Sequence, residues 1–279
     1  MRPRRTRRMV RRMGLFDVHA HLTHPRLRAD LEAVLARAQA AGVSTIVCNG
    51  LNPADNERVR ALAAAHRSVR PAFGLYPVDA VLGRMEAMGI DYPRDEGPFE
   101  PMESVRWVRE HAGEAFAIGE VGLDGHWVPP ALWAEQEAIF RRLVEVALEA
   151  DRPLIVHSRK REARAFEILR EMGARRVCWH CFGGRVRLAQ RIAEHGHWLS
   201  IPAIAPRHEA FRRMLQVLPR ERLLLETDCP YLAPEPGGRS EPAHVAVTAR
   251  LAAELWGEPE PAVVRRFEDN FTALFGVPP

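Results

Sequence analysis

The sequence predicts an α/β chain folded as a (β/α)8 barrel. Three observations carry this expectation: short apolar or β-branched runs alternate with longer amphipathic segments, eight such units follow one another without a break, and polar residues suited to metal binding close five of the eight runs. Strands alternating with helices imply a parallel sheet. Roughly 250 residues is the usual size of the closed eight-unit form, which residues 15–279 match as one domain. A doubly wound open sheet is the competing arrangement, but only a closed ring gathers all five of those strand ends at one mouth.

The first run, residues 15–19, is followed by a helical segment at 29–41, and the second, 44–48, by one at 56–66. After the third run, 70–73, the longest irregular stretch extends from Tyr76 to Pro101; it is rich in proline, glycine and acid and is expected to cover the mouth. A helix at 102–112 follows it. Run 115–118 then pairs with helix 132–150, run 154–157 with 162–172, run 177–180 with 186–195, and run 198–201 with 209–218. The last run, 223–226, precedes two closing helices at 242–256 and 261–275. The fifth run, Pro153-Leu154-Ile155-Val156, is apolar on both faces, as a parallel strand buried under helices must be.

Charge is unevenly spread. Residues 1–14 hold seven arginines and no acid, and without them 33 basic residues face 36 acidic ones, a body near −3. The segment reads either as a disordered arm for phosphates or as the product of a start codon placed too early, with Met9 or Met13 as alternative starts. No run approaches bilayer length and no apolar signal segment opens the chain. Four scattered cysteines, Cys48, Cys178, Cys181 and Cys229, do not make a disulfide framework. Period-two alternation sends Cys178 and Cys181 to opposite faces. The expectation is a soluble, cytoplasmic protein with reduced thiols and no obligate protein partner.

The chemistry lies at the strand ends. In Leu15-Phe16-Asp17-Val18-His19-Ala20-His21 two histidines two positions apart face the same way on a strand and can reach one cation. Glu120 stands between glycines in Ile118-Gly119-Glu120-Val121-Gly122. His157 stops the apolar fifth run, His180 ends Val177-Cys178-Trp179, and Asp228 follows Leu223-Leu224-Leu225-Glu226-Thr227. Singly, each is equally a core imidazole or a capping carboxylate. Together they form a set able to hold two divalent cations: His19, His21 and Asp228 on one, His157 and His180 on the other, and Glu120 across both. The mixed nitrogen and oxygen donors suit Zn²⁺ or Mn²⁺ better than Mg²⁺.

At these residues the chain resembles the TatD family of metal-dependent hydrolases, a branch of the amidohydrolase-like barrels. The strings that carry the resemblance are Asp17-Val18-His19-Ala20-His21-Leu22, Gly119-Glu120-Val121-Gly122-Leu123-Asp124, His157-Ser158-Arg159, His180-Cys181-Phe182-Gly183-Gly184 and Leu225-Glu226-Thr227-Asp228-Cys229-Pro230-Tyr231-Leu232-Ala233-Pro234, with Arg239-Ser240-Glu241-Pro242 and Asn270. The resemblance implies a TIM barrel of the metallo-dependent hydrolase type, bound divalent metals and hydrolysis, with several members described as deoxyribonucleases. It places metal ligation on the same six residues. Two departures stand out: Gly74-Leu75-Tyr76-Pro77-Val78 replaces the family's Gly-x-His-Pro-His, and Gly125, followed by His126 and Trp127, stands where an aromatic is usual.

The expected activity is phosphodiester hydrolysis at DNA ends. Asp228 serves as general base, and Glu120 spans the two cations. Arg159 and Arg239 are candidate phosphate clamps, and Tyr76 either donates to a phosphate oxygen or packs its ring. Asp124 and Glu226 are candidates to orient the ligands from behind. Two other readings are a hydrolase of small esters, amides or phosphotriesters on the same barrel, and a nucleic-acid-binding protein acting through its arginine-rich tail.

Overall fold

Strand follows strand in sequence order around one parallel sheet. In the computed structural model, which describes residues 14–94, 97 and 99–279, the strands are β1 (Leu15–Ala20), β2 (Val43–Asn49), β3 (Val69–Phe73), β4 (Ala117–Asp124), β5 (Leu154–Arg159), β6 (Val177–Trp179), β7 (Trp198–Pro202) and β8 (Leu223–Glu226). The ring closes just beyond β8. There Ala20 bridges Cys229 in parallel, the Asp228 N–H donates to the His19 carbonyl at 2.9 Å, and the His21 N–H donates to the Cys229 carbonyl at 2.9 Å. This is the expected closed (β/α)8 barrel, not the open sheet. The arginine-rich segment lies outside the described residues, Gly14 excepted.

Helices cover the outer face in the expected places, among them Leu31–Ala40, Pro53–Ala65, Pro101–His111, Trp133–Glu149, Glu162–Glu171, Val186–Glu194, Glu209–Val217, Val245–Trp256 and Glu260–Phe275. At the start of the barrel the last helix packs Phe271 against Phe16, with ring centroids 4.7 Å apart, and Phe275 against Phe116 at 4.7 Å. Asn270 donates to the carbonyls of Leu223 (2.8 Å) and Arg220 (2.7 Å), which fixes that helix to the start of β8. Among the described residues no helix is long and apolar enough to cross a membrane.

Two differences from the sequence expectation matter for the site. β4 does not stop at Ile118 but runs on to Asp124, and glycine at this strand serves close backbone approach. At Gly122, with φ +149°, a Cβ would lie 1.9 Å from the His157 carbonyl oxygen, and at Gly74 on the neighbouring strand end one would lie 2.4 Å from the Glu120 carbonyl oxygen. The stretch after β3 is not structureless either: it contains a 3₁₀ turn, Asp79–Val81, and a short helix, Leu82–Ala87.

Candidate metal centre

Two bulges aim the side chains. Between Asp17 and Ala20, β1 spends three steps against two on β2, and between Ile118 and Val121, β4 does the same against β5. An extra residue in a strand bends it and re-aims its side chains; here the affected stretches carry His19 and Glu120. Asp228, at φ 52°, and Cys181, at φ 41°, occupy the left-handed region just after β8 and β6, a strained backbone typical of functional sites.

The six residues converge around Glu120, whose carboxylate is 3% exposed. Its Oε2 lies 3.4 Å from His19 Nε2 and 3.5 Å from His21 Nε2, while its Oε1 lies 2.9 Å from His157 Nδ1 and 3.3 Å from His180 Nε2. Asp228 Oδ1 joins the first pair, 3.4 Å from His21 Nε2 and 3.8 Å from His19 Nε2. His19, His21 and Glu120 form one set able to hold a metal ion, Glu120, His157 and His180 a second, and His19, His180 and Asp228 a third that overlaps both.

Two of the four imidazoles are hydrogen-bonded from behind, and a third faces a carboxylate. His21 Nδ1 faces the Asn49 carbonyl at 3.1 Å, His157 Nε2 faces Asp124 Oδ2 at 3.0 Å, and His180 Nδ1 faces Glu226 Oε2 at 3.5 Å. An acceptor behind one ring nitrogen holds the proton there and turns the lone pair of the other toward the centre. The buried Nδ1 atoms of His19 and His180 have no hydrogen-bond partner, although His180 Nδ1 keeps Glu226 Oε2 within ion-pair distance. His19 Nε2 and His21 Nε2 lie 3.1 Å apart, a contact that needs a cation or a proton between them. The donor set therefore fits divalent metal, and no cysteine enters it among the described residues.

The electrostatics describe a charge-compensated cluster. Burial opposes ionisation of Glu120, yet His180 and His19, with hydrogen bonds from His157 and His180, hold it well below the usual carboxylate range. Asp228 is lowered against its burial by His21, His180 and His19. Burial depresses His180, but Glu120 and Glu226 raise it well above its ordinary value, and His21 and His157 are raised in the same way by their carboxylates. His19 is lowered, by burial and by His180. Metal binding to such a cluster displaces the protons the imidazoles share with the acids.

The remaining expected site residues divide. Asp124 and Glu226 stand behind the cluster; Glu226 also accepts from Ser200 Oγ (2.7 Å) and the Cys181 N–H (2.8 Å). Arg159 is exposed at the end of β5. Tyr76 packs edge-on to His157 at 5.0 Å. Val78 is fully buried in the core. Arg239 departs from the expectation of a free phosphate clamp: its NH1 and NH2 meet Asp30 Oδ1 and Oδ2 at 2.6 and 2.8 Å, and NH1 also meets the Arg26 carbonyl at 2.7 Å. With Glu241 bound to Arg37 at 2.7 Å, it straps the loop after β8 to the neighbouring helix.

Sequence reasoning missed two features. Asp17 spans the seam between β1 and β8: its Oδ1 accepts from the N–H groups of His19 (3.1 Å) and Thr227 (3.0 Å), and its Oδ2 from the Thr227 hydroxyl. A carboxylate inside an apolar strand was the available signal, since such a group is costly unless satisfied. The second is Arg94, in the irregular stretch, where no periodicity marks it.

Known proteins resemble this chain over most of its length. The family model described as TatD related DNase matches residues 16–276. The Bacillus subtilis uncharacterized metal-dependent hydrolase YabD is 33% identical over 249 residues, covering 86% of this chain and 91% of its own. The 3'-5' ssDNA/RNA exonuclease TatD of Enterobacter lignolyticus is 32% identical, covering 94% of this chain and 99% of its own. The crystal structure of the Escherichia coli TatD homolog YjjV superimposes with a TM-score of 0.80 at 27% identity, covering 95% of this chain and 98% of that one. A match across almost the whole barrel, together with the clustered imidazoles and acids at its mouth, makes this chain a metal-dependent hydrolase belonging to the TatD related DNase family.

Proposed function

We propose that the chain trims single-stranded or frayed DNA ends by phosphodiester hydrolysis, with two divalent cations, Zn²⁺, Mn²⁺ or Mg²⁺, held by His19, His21, Glu120, His157, His180 and Asp228. One observation carries this reading: the two oxygens of Glu120 face different imidazole pairs, so that the carboxylate could serve the donor sets of two cations. The name of the Enterobacter relative as an ssDNA/RNA exonuclease supports the substrate class. The four free cysteines support a reducing, cytoplasmic setting.

Divalent cations in such a site lower the pKa of water from about 15.7 toward about 7 and stabilise charge on a phosphoryl oxygen. Asp228 takes the proton of the attacking water. Its side chain is 15% exposed against 3% for Glu120, so it alone of the two carboxylates combines a place in the cluster with access to solvent. Glu120 keeps the imidazoles apart and in register. Arg159, whose guanidinium makes no bond within the described residues, holds a second phosphate oxygen. Arg239 acts indirectly, by holding the loop that carries Asp228.

The test combines metal content with a substrate panel. Protein purified without chelators is expected to carry two equivalents of metal, and Glu120→Gln fewer. Labelled single-stranded oligonucleotide, a small phosphodiester, an ester and an amide are then offered with added Mn²⁺, Zn²⁺ or Mg²⁺. Nucleotide release that a chelator abolishes is the expected result. No nucleotide release with any metal rejects the nuclease reading, and ester or amide turnover in its place would assign the barrel to small substrates.

A further inference from the structure

Beside the six converging residues the mouth opens into a groove of about 360 Å³, lined by His21 and by Arg28, Arg94 and Tyr231 among others. Arg94 is immobilised in it. Its Nε donates to Asp79 Oδ1 at 2.6 Å, and its guanidinium carbon lies 5.0 Å from the centre of the Tyr76 ring and 5.4 Å from that of Tyr92. Asp79 is itself fixed by Asn52 Nδ2 at 3.2 Å and is 1% exposed, against 19% for the Arg94 side chain. The two terminal nitrogens of Arg94 make no hydrogen bond within the described residues. A guanidinium oriented by an ion pair and two rings, with its fork unspent, binds phosphate without first losing conformational freedom.

The wall continues outward. Tyr92 meets Trp127 edge-on at 5.2 Å, and Trp127 is 42% exposed. The backbone that carries the indole is tied to the metal centre, because the Trp127 backbone N–H donates to Asp124 Oδ1 at 2.8 Å while Oδ2 of the same carboxylate faces His157 at 3.0 Å. From His157 through Tyr76, Arg94 and Tyr92 to Trp127, aromatic rings with one cation embedded among them run from the reacting centre to solvent.

We propose that this wall is the subsite for a nucleotide flanking the scissile bond of single-stranded nucleic acid: Arg94 grips its phosphate through the terminal nitrogens, and the open face of Trp127 stacks its base. The inference rests on the nuclease reading and sharpens it. Every base offers a stacking face, so the subsite is indifferent to sequence, but a base held inside a duplex stack has no face to give. The selectivity is therefore for unpaired ends.

The experiment measures binding of a labelled single strand of about ten nucleotides by fluorescence anisotropy, using the full chain in chelator so that no cleavage intervenes. It also measures kcat/KM with metal, on the same strand and on a small phosphodiester. The variants are Trp127→Ala, Arg94→Lys, and Asp79→Asn combined with Arg94→Gln, a pair that leaves no buried carboxylate without its cation. Trp127→Ala is expected to weaken strand binding about 5- to 100-fold and to lower the ratio of strand to small-diester kcat/KM about tenfold. The double variant should also reduce the salt dependence of log K by about 0.7, one phosphate contact on a single strand, a slope that Trp127→Ala leaves alone. Arg94→Lys keeps the charge but not the stacked fork and should recover only part of the binding. Unchanged strand binding in Trp127→Ala and in the double variant overturns the subsite, as does an equal fall on both substrates. Wild-type protein that cleaves no oligonucleotide with any metal overturns the nuclease reading itself, whereas strand cleavage and binding untouched by the variants overturn the subsite alone.

Discussion

Asp124 holds the far nitrogen of His157: Oδ2 and Nε2 are 3.0 Å apart, which leaves Nδ1 to face Glu120 at 2.9 Å. This orientation predicts a specific effect for Asp124→Asn. The amide oxygen still accepts from the N–H groups of His126 and Trp127, as Oδ1 does now. The amide nitrogen, however, donates toward Nε2, drives the proton to Nδ1 and removes the lone pair aimed at the cluster. Metal affinity should fall about 10- to 100-fold, measured by titration after chelator treatment, with activity returning at high metal. Unaltered affinity would show that the carboxylate does not set the tautomer.

Asp228→Asn separates ligation from proton transfer. The amide keeps an oxygen near His21 and His19, where Asp228 Oδ1 now lies at 3.4 and 3.8 Å, but cannot accept the proton of a water. With metal saturating, kcat should fall about 10²- to 10⁴-fold while KM changes little. A variant with full metal content and near wild-type kcat assigns the base elsewhere.

Much of this centre was legible because the barrel writes its site at strand ends. An apolar run closed by a histidine or an acid, as at His157 and Asp228, marks a position where the chain leaves the core for the mouth, and the order of the eight runs, five of them closed in this way, fixes which ends meet. Features that depend on a distant partner were not legible. Nothing near Arg239 in sequence shows that its fork is taken by Asp30, 209 residues earlier. Nor does any side chain record the Asn49 carbonyl behind His21, since that acceptor is backbone. The extension of β4 was hidden because Gly119 and Gly122 interrupt the apolar pattern of a strand, although Gly122 is there to let the His157 carbonyl approach.

The seam between the first and last strands depends on Asp17. Asp17→Ala strands the N–H groups of His19 and Thr227 and the Thr227 hydroxyl, all of which now point at one buried carboxyl. The loss should be on the order of 3 kcal/mol in urea unfolding. Metal binding should also weaken, because the same seam carries His19 and Asp228, whose backbones are joined at 2.9 Å. Asp17→Asn, which keeps an acceptor, should lose less. Equal stability of all three proteins would mean that the barrel closes without this contact.

Acid lability should trace in part to His197, which lies on the far side of Trp179 from the metal centre. The ring is fully buried, its Nδ1 accepts from the Trp179 indole N–H at 3.1 Å, and its Nε2 donates to the Ala174 carbonyl at 3.0 Å. A second proton at Nδ1 would face an N–H. Burial, with Arg175, Arg222 and His195 nearby, lowers its pKa to about 4 against the Ala174 carbonyl, which favours the protonated ring. The unfolded chain, titrating at about 6.5, therefore binds more protons than the folded one between those values. Stability from this group is complete above pH 6.5 and is lost as pH falls toward 4, by roughly 3 kcal/mol over the window. His197→Asn keeps an acceptor for the indole but does not titrate. Its unfolding free energy, lower than wild type at pH 7 through lost packing, should fall less steeply from pH 7 to 4.5. Groups common to both proteins, the metal ligands included, cancel in the difference, so parallel pH profiles would remove His197 from the account.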